Sequence, residues 1–199
     1  MISSSLISTP LPQISSSHKF KRRDVIPLES NILWHIDRGF VRTLTWDLTG
    51  TVVTLGFWGP GDIIGYSLSQ TEPYQIECLS ALEAHVLAAN YGYSHEAMMA
   101  HIQQAEALLK IVRGGRADSR LLQFLSWLSQ RFGCASSQGQ LLKLRLTHQD
   151  IADVLGTTRV TVTKLLKQLE QEGRIGWSNR QECILIGNHQ AITKQIEHL

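Results

Sequence analysis

Leu146–Leu169, LTHQDIADVLGTTRVTVTKLLKQL, decides how the rest of this 199-residue chain is read. Thr147 is a good helix N-cap, because its hydroxyl accepts a hydrogen bond from an otherwise unpaired backbone N–H. Ile151, Ala152 and Leu155 then recur at helical spacing. Gly156 supplies a sharp turn, since glycine enters left-handed backbone space without steric cost. A second helix follows, capped by Thr157 or Thr158, with Val162, Leu165, Leu166 and Leu169 predicted to face inward. Two short helices joined by a Gly-containing turn make a helix-turn-helix, whose second helix enters the DNA major groove. What separates this pair from an ordinary helical hairpin is the outward face of helix two: Arg159, Val160, Thr163, Lys164 and Lys167. They cluster toward its N-terminal half, where a recognition helix touches base edges.

Charge is divided in the same sense. The formal net charge is +2, but residues 1–112 carry 7 Lys/Arg against 10 Asp/Glu, and residues 113–199 carry 12 against 7. The basic half holds the helix-turn-helix, as a phosphate-binding module requires. A hydrophobic fraction of 43% is enough for real cores in one large or two small domains. No apolar run reaches membrane-spanning length, and residues 1–17 lack the basic and apolar regions of a signal peptide. The expectation is a cytoplasmic protein with no membrane partner. Cys78, Cys134 and Cys183 are far apart and odd in number, which argues against a disulfide framework and against a CxxC metal knuckle.

Before the helix-turn-helix the pattern is of strands and then helices. Met1–Ser17 is Ser/Pro-rich and reads as disordered, and His18–Asp24 (HKFKRRD) is a basic cluster that could brush DNA or an acidic partner, although such runs are usually just solvated. Ile32–Ile36, Phe40–Trp46, Thr51–Trp58, Gln75–Ala81 and Glu83–Leu87 read as strands. Turns fall at Asp37-Arg38-Gly39, Asp47–Gly50 and Gly59-Pro60-Gly61-Asp62. Short strands at this spacing imply a small β-sandwich or barrel. Met98, Ile102, Ala105, Leu109 and Val112 advance by 4, 3, 4 and 3, an a/d seam that favours a helix pairing with a copy of itself, although an amphipathic helix packed on its own β-domain would show similar spacing. Gly114-Gly115 ends that helix, at a cost of about 1 kcal/mol per glycine for continuing it. Ser119–Phe132 is amphipathic and should cover the helix-turn-helix from behind. Gly133–Gly139 reads as a loop and Leu141–Leu146 as a strand. Ile175–Ser178 and Cys183–Ile186 flank Asn179-Arg180-Gln181-Glu182 as a hairpin, and His189–Leu199 reads as a short helix.

The runs Leu146-Thr147-His148-Gln149-Asp150-Ile151-Ala152 and Gly156-Thr157-Thr158-Arg159-Val160-Thr161-Val162-Thr163-Lys164-Leu165-Leu166 resemble the Crp/Fnr family of bacterial transcription regulators. The Thr-Arg-Val-Thr-Val-Thr core is closest to the cyanobacterial global nitrogen regulator branch. The resemblance implies an α+β chain with an N-terminal jelly-roll (cyclic-nucleotide-binding-like) β-sandwich, a dimerisation helix and a C-terminal winged helix-turn-helix. In boundaries, residues 1–24 are a disordered basic segment, 25–92 the sensor-like domain, 93–116 the dimerisation helix and hinge, and 117–199 the DNA-binding domain. It also implies that Thr147, His148, Gln149, Thr158 and Thr161 meet DNA phosphates, with Arg180 on the wing as a further phosphate contact. Arg159, Val160, Thr163 and Lys164 would read bases, Arg159 by a bidentate bond to guanine. Met98, Ile102, Ala105, Leu109 and Val112 would form the homodimer interface on an inverted-repeat site, with RNA polymerase a candidate partner.

Departures from the family pattern bear on the effector. No Lys or Arg occurs from Thr43 to Leu109, so an anionic ligand between the strands would lack a charge-assisted partner, although Lys110 or Arg113 could reach in. The expectation is a domain that keeps the fold and loses the response to cyclic nucleotide and 2-oxoglutarate. An unidentified small-molecule effector remains an alternative. With no cysteine before Cys78 the iron–sulfur cluster of some relatives has no ligands, and Arg116 replaces the hinge Asp of many relatives. No enzyme is expected: His95-Glu96-Ala97-Met98-Met99 lacks the second His of a zincin, and no Ser/His/Asp or P-loop pattern occurs. The eight histidines show no ligand spacing, and His35 or His85 reads as structure rather than as a haem ligand. Asp150 and Asp153 read as acids of a solvated first turn. No cofactor or metal is expected. The competing class is a non-enzymatic interaction module of the same fold.

Overall fold

Short runs rich in β-branched and aromatic residues, such as Val41–Trp46 and Val52–Trp58, build the first half of the chain. The structure, a computed structural model, describes residues 17–30, 32–69, 71–88, 95–178 and 182–186. Among the described residues, seven strands occupy the N-terminal part: β1 (Ser17–Phe20), β2 (Ile32–Arg38), β3 (Val41–Trp46), β4 (Val52–Trp58), β5 (Ile63–Ile64), β6 (Gln75–Cys78) and β7 (Leu82–Ala88). They form two sheets, ordered β1-β7-β2-β5 and β4-β3-β6, with antiparallel pairing throughout. Trp34, Ile36, Ile64, Leu82 and Ala84 of one sheet pack with Val41, Trp58, Ile76 and Cys78 of the other around Ile26 and Tyr74. The turn between β2 and β3 needs Gly39, whose φ is 91° and where a Cβ would collide with the Ala81 carbonyl.

The N-terminal boundary corrects the composition reading. His18–Phe20 are not part of a disordered arm but sit in β1, paired with Leu82–Ala84 of β7. Arg23 to Ile26 then run along β6, with Arg23 N–H donating to the Cys78 carbonyl and Ile26 N–H to that of Ile76. Composition hides this because the segment is anchored by backbone pairing, which polar side chains do not betray. β2 also continues through Asp37 and Arg38, where the sequence signals a turn. A register shift between Ile36 and Arg38 lets the strand absorb the extra residue. The two-residue β5 is too short to leave a pattern.

Helix α1 (His95–Arg113) buries Gln104, Leu108 and Ile111 against β4 and its neighbours. The Gln104 side-chain carbonyl accepts from the Phe57 backbone N–H. Gly115 turns the chain at φ 51° into α2 (Ala117–Phe132). The stretch after α2 differs from expectation: β8 (Gly133–Ser136) and β9 (Gly139–Leu142) form a hairpin in place of a loop and a later strand. Cys134 faces Leu141 in that pairing. Helices α3 (His148–Leu155) and α4 (Arg159–Gln171) follow, then β10 (Ile175–Trp177) and β11 (Cys183–Leu185). The sheet order β10-β11-β9-β8 gives the winged arrangement. Leu121, Phe124, Leu125 and Leu128 of α2 meet Ile151, Leu155, Val162, Leu166 and Leu169, and the same cluster continues into Phe57 and Leu79 of the β-domain.

Residues 1–16, the wing tip with Arg180 and the C-terminal stretch read as a helix lie outside the described residues. Among the described residues, no helix is long and apolar enough to cross a membrane.

Candidate nucleic-acid interface

Each end of α3 is fixed by local chemistry that the sequence spells out. The Thr147 hydroxyl accepts from the Asp150 N–H at 3.1 Å, and the Asp150 carboxylate accepts from the Thr147 N–H at 2.7 Å, a reciprocal capping box. Gly156 ends the helix in the left-handed region at φ 59°, ψ 46°. Of the two candidate caps for α4, Thr158 takes the role, accepting from the Thr161 N–H at 3.1 Å. These devices set the angle between the helices, and Val162, Leu166 and Leu169 lock it by burial.

The opposite face of α4 is left open. Arg159, Thr163, Lys164 and Lys167 are exposed, and Val160 is 63% exposed, high for a valine with no polar atom to hydrate. Arg159, Lys164 and Lys167 form no ion pair among the described residues. Thr163 is less free than its neighbours: its hydroxyl donates to the Arg159 carbonyl at 2.9 Å and lies 2.8 Å from His148 Nδ1. This contact joins the N-terminus of α3 to the first turns of α4. Thr147 is exposed there and His148 half-buried. Thr158 and Thr161 share a hydroxyl contact of 2.9 Å at the start of α4.

Asp150 and Asp153 correct the reading of a solvated acidic turn. Asp150 is 1% exposed and accepts from the two terminal guanidinium nitrogens of Arg23 at 3.1 Å, while Arg42 reaches it at 3.1 Å. Arg42, itself buried, also binds Glu77 at 2.6 Å and Asp153 at 3.3 Å. Arg23 binds the other oxygen of Glu77 at 2.8 Å. Burial alone would raise the Asp150 carboxyl. The hydrogen bond from Arg23, that from Thr147 and the charge of Arg42 outweigh it and hold the group below the ordinary carboxylate range. Gln149 is drawn in as well, its amide donating to Asp153 at 2.7 Å. Two guanidinium groups of the β-domain thus clamp the first helix of the pair. A second tie joins Arg131 of α2 to Asp62 at 2.9 Å. The sequence could not show the clamp, because Arg23 and Asp150 stand 127 residues apart.

On α1 the heptad positions divide cleanly. Met98, Ile102 and Leu109 are 42%, 50% and 61% exposed, Ala105 is exposed and Val112 half-buried. The helix packs on its own domain through Gln104, Leu108 and Ile111, with Val112 touching the same core, so Met98, Ile102, Ala105 and Leu109 are left over. Inside the β-domain, Trp34, Trp58 and Tyr74 fill the space between the sheets. The cations of the described β-domain lie elsewhere: Lys19, Lys21, Arg22 and Arg38 are exposed, and Arg23 and Arg42 are bound to carboxylates. Lys110 and Arg113 are exposed on α1. The three cysteines are unpaired, and burial pushes the Cys78 and Cys183 thiols up to about 12.

Comparison with known proteins gives a consistent picture. Residues 119–194 match a family described as a Crp-like helix-turn-helix domain. The regulatory protein CysR of Synechococcus elongatus is 40% identical over 177 residues, covering 86% of each chain. The global nitrogen regulator of the same organism is 34% identical over 100 residues, covering 50% of this chain and 44% of the relative. Among solved structures, FixK2 of Bradyrhizobium japonicum superposes with a TM-score of 0.74 at 21% identity, covering 91% of this chain and 96% of its own. A CRP-family transcriptional regulator of Thermus thermophilus gives 0.72 at 23% identity, covering 90% of this chain and 96% of its own.

Proposed function

The chain belongs to the Crp/Fnr family of transcription regulators, and from that premise we propose that it acts as a homodimer that reads an inverted-repeat DNA site through α4. The observation that carries this is the division of α4 into a buried face and an exposed face bearing Arg159, Val160 and Lys164 with no ion pair among the described residues. An unpaired cation on a surface helix releases no bound carboxylate when it meets DNA, so its whole charge is available to the polyanion. Arg159 binds guanine O6 and N7, and Val160 offers a methyl surface that suits the thymine C5-methyl group, so the half-site contains a G-T step. Lys164 is a second guanine contact or a phosphate clamp. Thr147, His148, Thr158 and Thr161 surround this strip and hold phosphates, with Gln149 able to do so only by leaving Asp153.

Dimerisation rests on the apolar strip Met98, Ile102, Ala105, Leu109 and Val112, which pairs with its copy and sets the two α4 helices about 34–36 Å apart, one turn of DNA. The β-domain does not answer to cAMP, cGMP or 2-oxoglutarate, because the space where an anion would sit is packed with aromatic side chains and the described cations of the domain lie outside it. Calorimetric titration with each should give no heat. The experiment that tests the main reading is selection of bound DNA from a random pool, followed by the salt dependence of the selected site. An inverted repeat with a steep salt slope supports it. Equal binding to all sequences would reduce the chain to a nonspecific binder, and no binding would favour an interaction module.

A further inference from the structure

The register of β2 against β7 places His35 directly opposite His85, and Asp37 follows His35 by one period on the same outward face. The two imidazole rings lie 4.7 Å apart between centroids. The Asp37 carboxylate stands between them, with His85 Nδ1 at 3.0 Å from one oxygen and 3.1 Å from the other, and His35 Nδ1 at 3.2 Å. One nitrogen of each ring and one carboxylate oxygen all fall within 4.8 Å of one another.

That arrangement has the dimensions of a first coordination sphere. Ligands bonded at about 2.0–2.1 Å to a tetrahedral ion stand roughly 3.3 Å from each other. Asp37 already meets that spacing to both rings, and the rings need only a small rotation. The carrier elements are rigid: β2 and β7 are the central strands of their sheet. The shift in pairing after Ile36 aims Asp37, and backbone bonds from Ile36 N–H to the Asp62 carbonyl and from Gly61 N–H to the Ile36 carbonyl fix the strand end. His35 and Asp37 are about one-third exposed and His85 one-fifth, so an ion and a water ligand can enter.

We propose that His35, Asp37 and His85 form a site for one divalent transition-metal ion on the outer face of the β-domain. Two imidazoles and one carboxylate select ions that favour nitrogen, such as Zn2+, Co2+ or Ni2+, over Mg2+ and Ca2+, which want an all-oxygen shell. Without metal, each ring donates its Nδ1 proton to the Asp37 carboxylate. On binding, each ring carries that proton on Nε2 instead, Nδ1 gives its lone pair to the ion, and Asp37 supplies an oxygen. Water fills the remaining position. The ion ties β2 to β7 and stabilises the sheet in proportion to the logarithm of its free concentration over Kd.

The test uses the full-length protein, stripped with EDTA and titrated calorimetrically with Zn2+, then with Co2+ followed by visible absorption. The expected result is one ion per chain in the micromolar range and a melting temperature that rises with Zn2+. His35→Ala, His85→Ala and Asp37→Asn should each weaken binding about tenfold or more and abolish the thermal shift. Melting in EDTA reports whether a variant folds, and the near-isosteric Asp37→Asn keeps the test open if a histidine variant does not. Cys134→Ser should leave binding unchanged. Absence of micromolar binding by the wild type overturns the proposal, as does unaltered affinity in Asp37→Asn and the double variant His35→Ala/His85→Ala.

Discussion

Asp150 at the base of α3 is buried and shared between two guanidinium groups, whereas Arg159 at the start of α4 is exposed with no ion pair among the described residues. Both belong to one helix-turn-helix, yet the chain treats their charges in opposite ways. Carboxylates on a surface that approaches DNA would repel phosphates, and here Arg42 and Arg23 cover them with positive charge from another domain. Among the described residues the cations on α4 have no ion pair, so no carboxylate there offsets their charge. The same clamp gives α3 a fixed seat on the β-domain. The orientation of α4 is therefore set by contacts outside the DNA-binding domain as well as within it.

The largest effect is expected where the clamp is broken. Asp150→Ala leaves Arg42 buried without its shared carboxylate and also removes the capping box. Breaking a buried pair from one side costs about 3–5 kcal/mol, and Glu77 and Asp153, which still hold Arg42, should keep the loss toward the lower end. Asp150→Asn keeps an acceptor for the Thr147 N–H and should lose less. Chemical denaturation of both variants measures the difference, and a cost near zero for Asp150→Ala would mean that the two domains are not coupled there. The pH dependence has a definite sign. Because the folded Asp150 carboxyl lies below its unfolded value of about 3.9, its contribution is full above that value and is lost as pH falls toward the lower folded one. The acid limb of the wild-type stability curve should be shallower in Asp150→Asn.

Leu109→Glu asks whether the second exposed strip resembles the first in being reserved for a partner. Leu109 is 61% exposed in the single chain, so the substitution should cost the isolated fold little. Across a dimer seam it removes an apolar contact of roughly 1.5–3 kcal/mol per copy and sets two like charges face to face. Sedimentation should then show monomers, and DNA affinity should fall with the loss of the second half-site. An unchanged dimer would send the interface elsewhere.

The two regions also differ in how far the sequence reveals them. The helix-turn-helix is legible nearly residue by residue, because caps, glycine turn and apolar spacing are local signals and Thr147, Gly156 and Thr158 act within four residues of their partners. The order of strands β2, β3, β4, β6 and β7 is legible for the same reason. The clamp is not, nor is the His35–Asp37–His85 cluster, since both arise from strand register and domain docking. Local pattern also misjudges Arg23, which sits at φ 73° in a turn that hands its side chain to Glu77 and Asp150. A basic run usually is solvated, as Lys19 and Lys21 are here, and only the folded neighbours show that Arg23 is bound to carboxylates.

Arg159→Ala tests the exposed side of the comparison directly. As a bidentate guanine contact it should cost about 1–3 kcal/mol on the selected site and relax preference at that base. Fold stability should hardly change, in contrast to Asp150→Ala, because the side chain leaves no buried charge behind. Competition between selected and random DNA reads the outcome. Equal weakening on both would remove Arg159 from base readout and make it a phosphate contact.

The smallest effect is expected at Arg180, on the wing sequence between β10 and β11 and outside the described residues. A phosphate contact carries no base information, so Arg180→Ala should weaken selected and random DNA alike. Each phosphate neutralised contributes about 0.9 to the slope of log K against log salt, so the slope should fall by about one. Over a fourfold rise in salt, that makes the variant's affinity loss roughly 3.5-fold smaller than the wild type's. Measuring Arg159→Ala and Arg180→Ala side by side separates the two kinds of exposed cation, since one should change sequence preference and the other only the response to salt. If Arg180→Ala altered base preference, the wing would be reading sequence or shape, and α4 would no longer account for specificity alone.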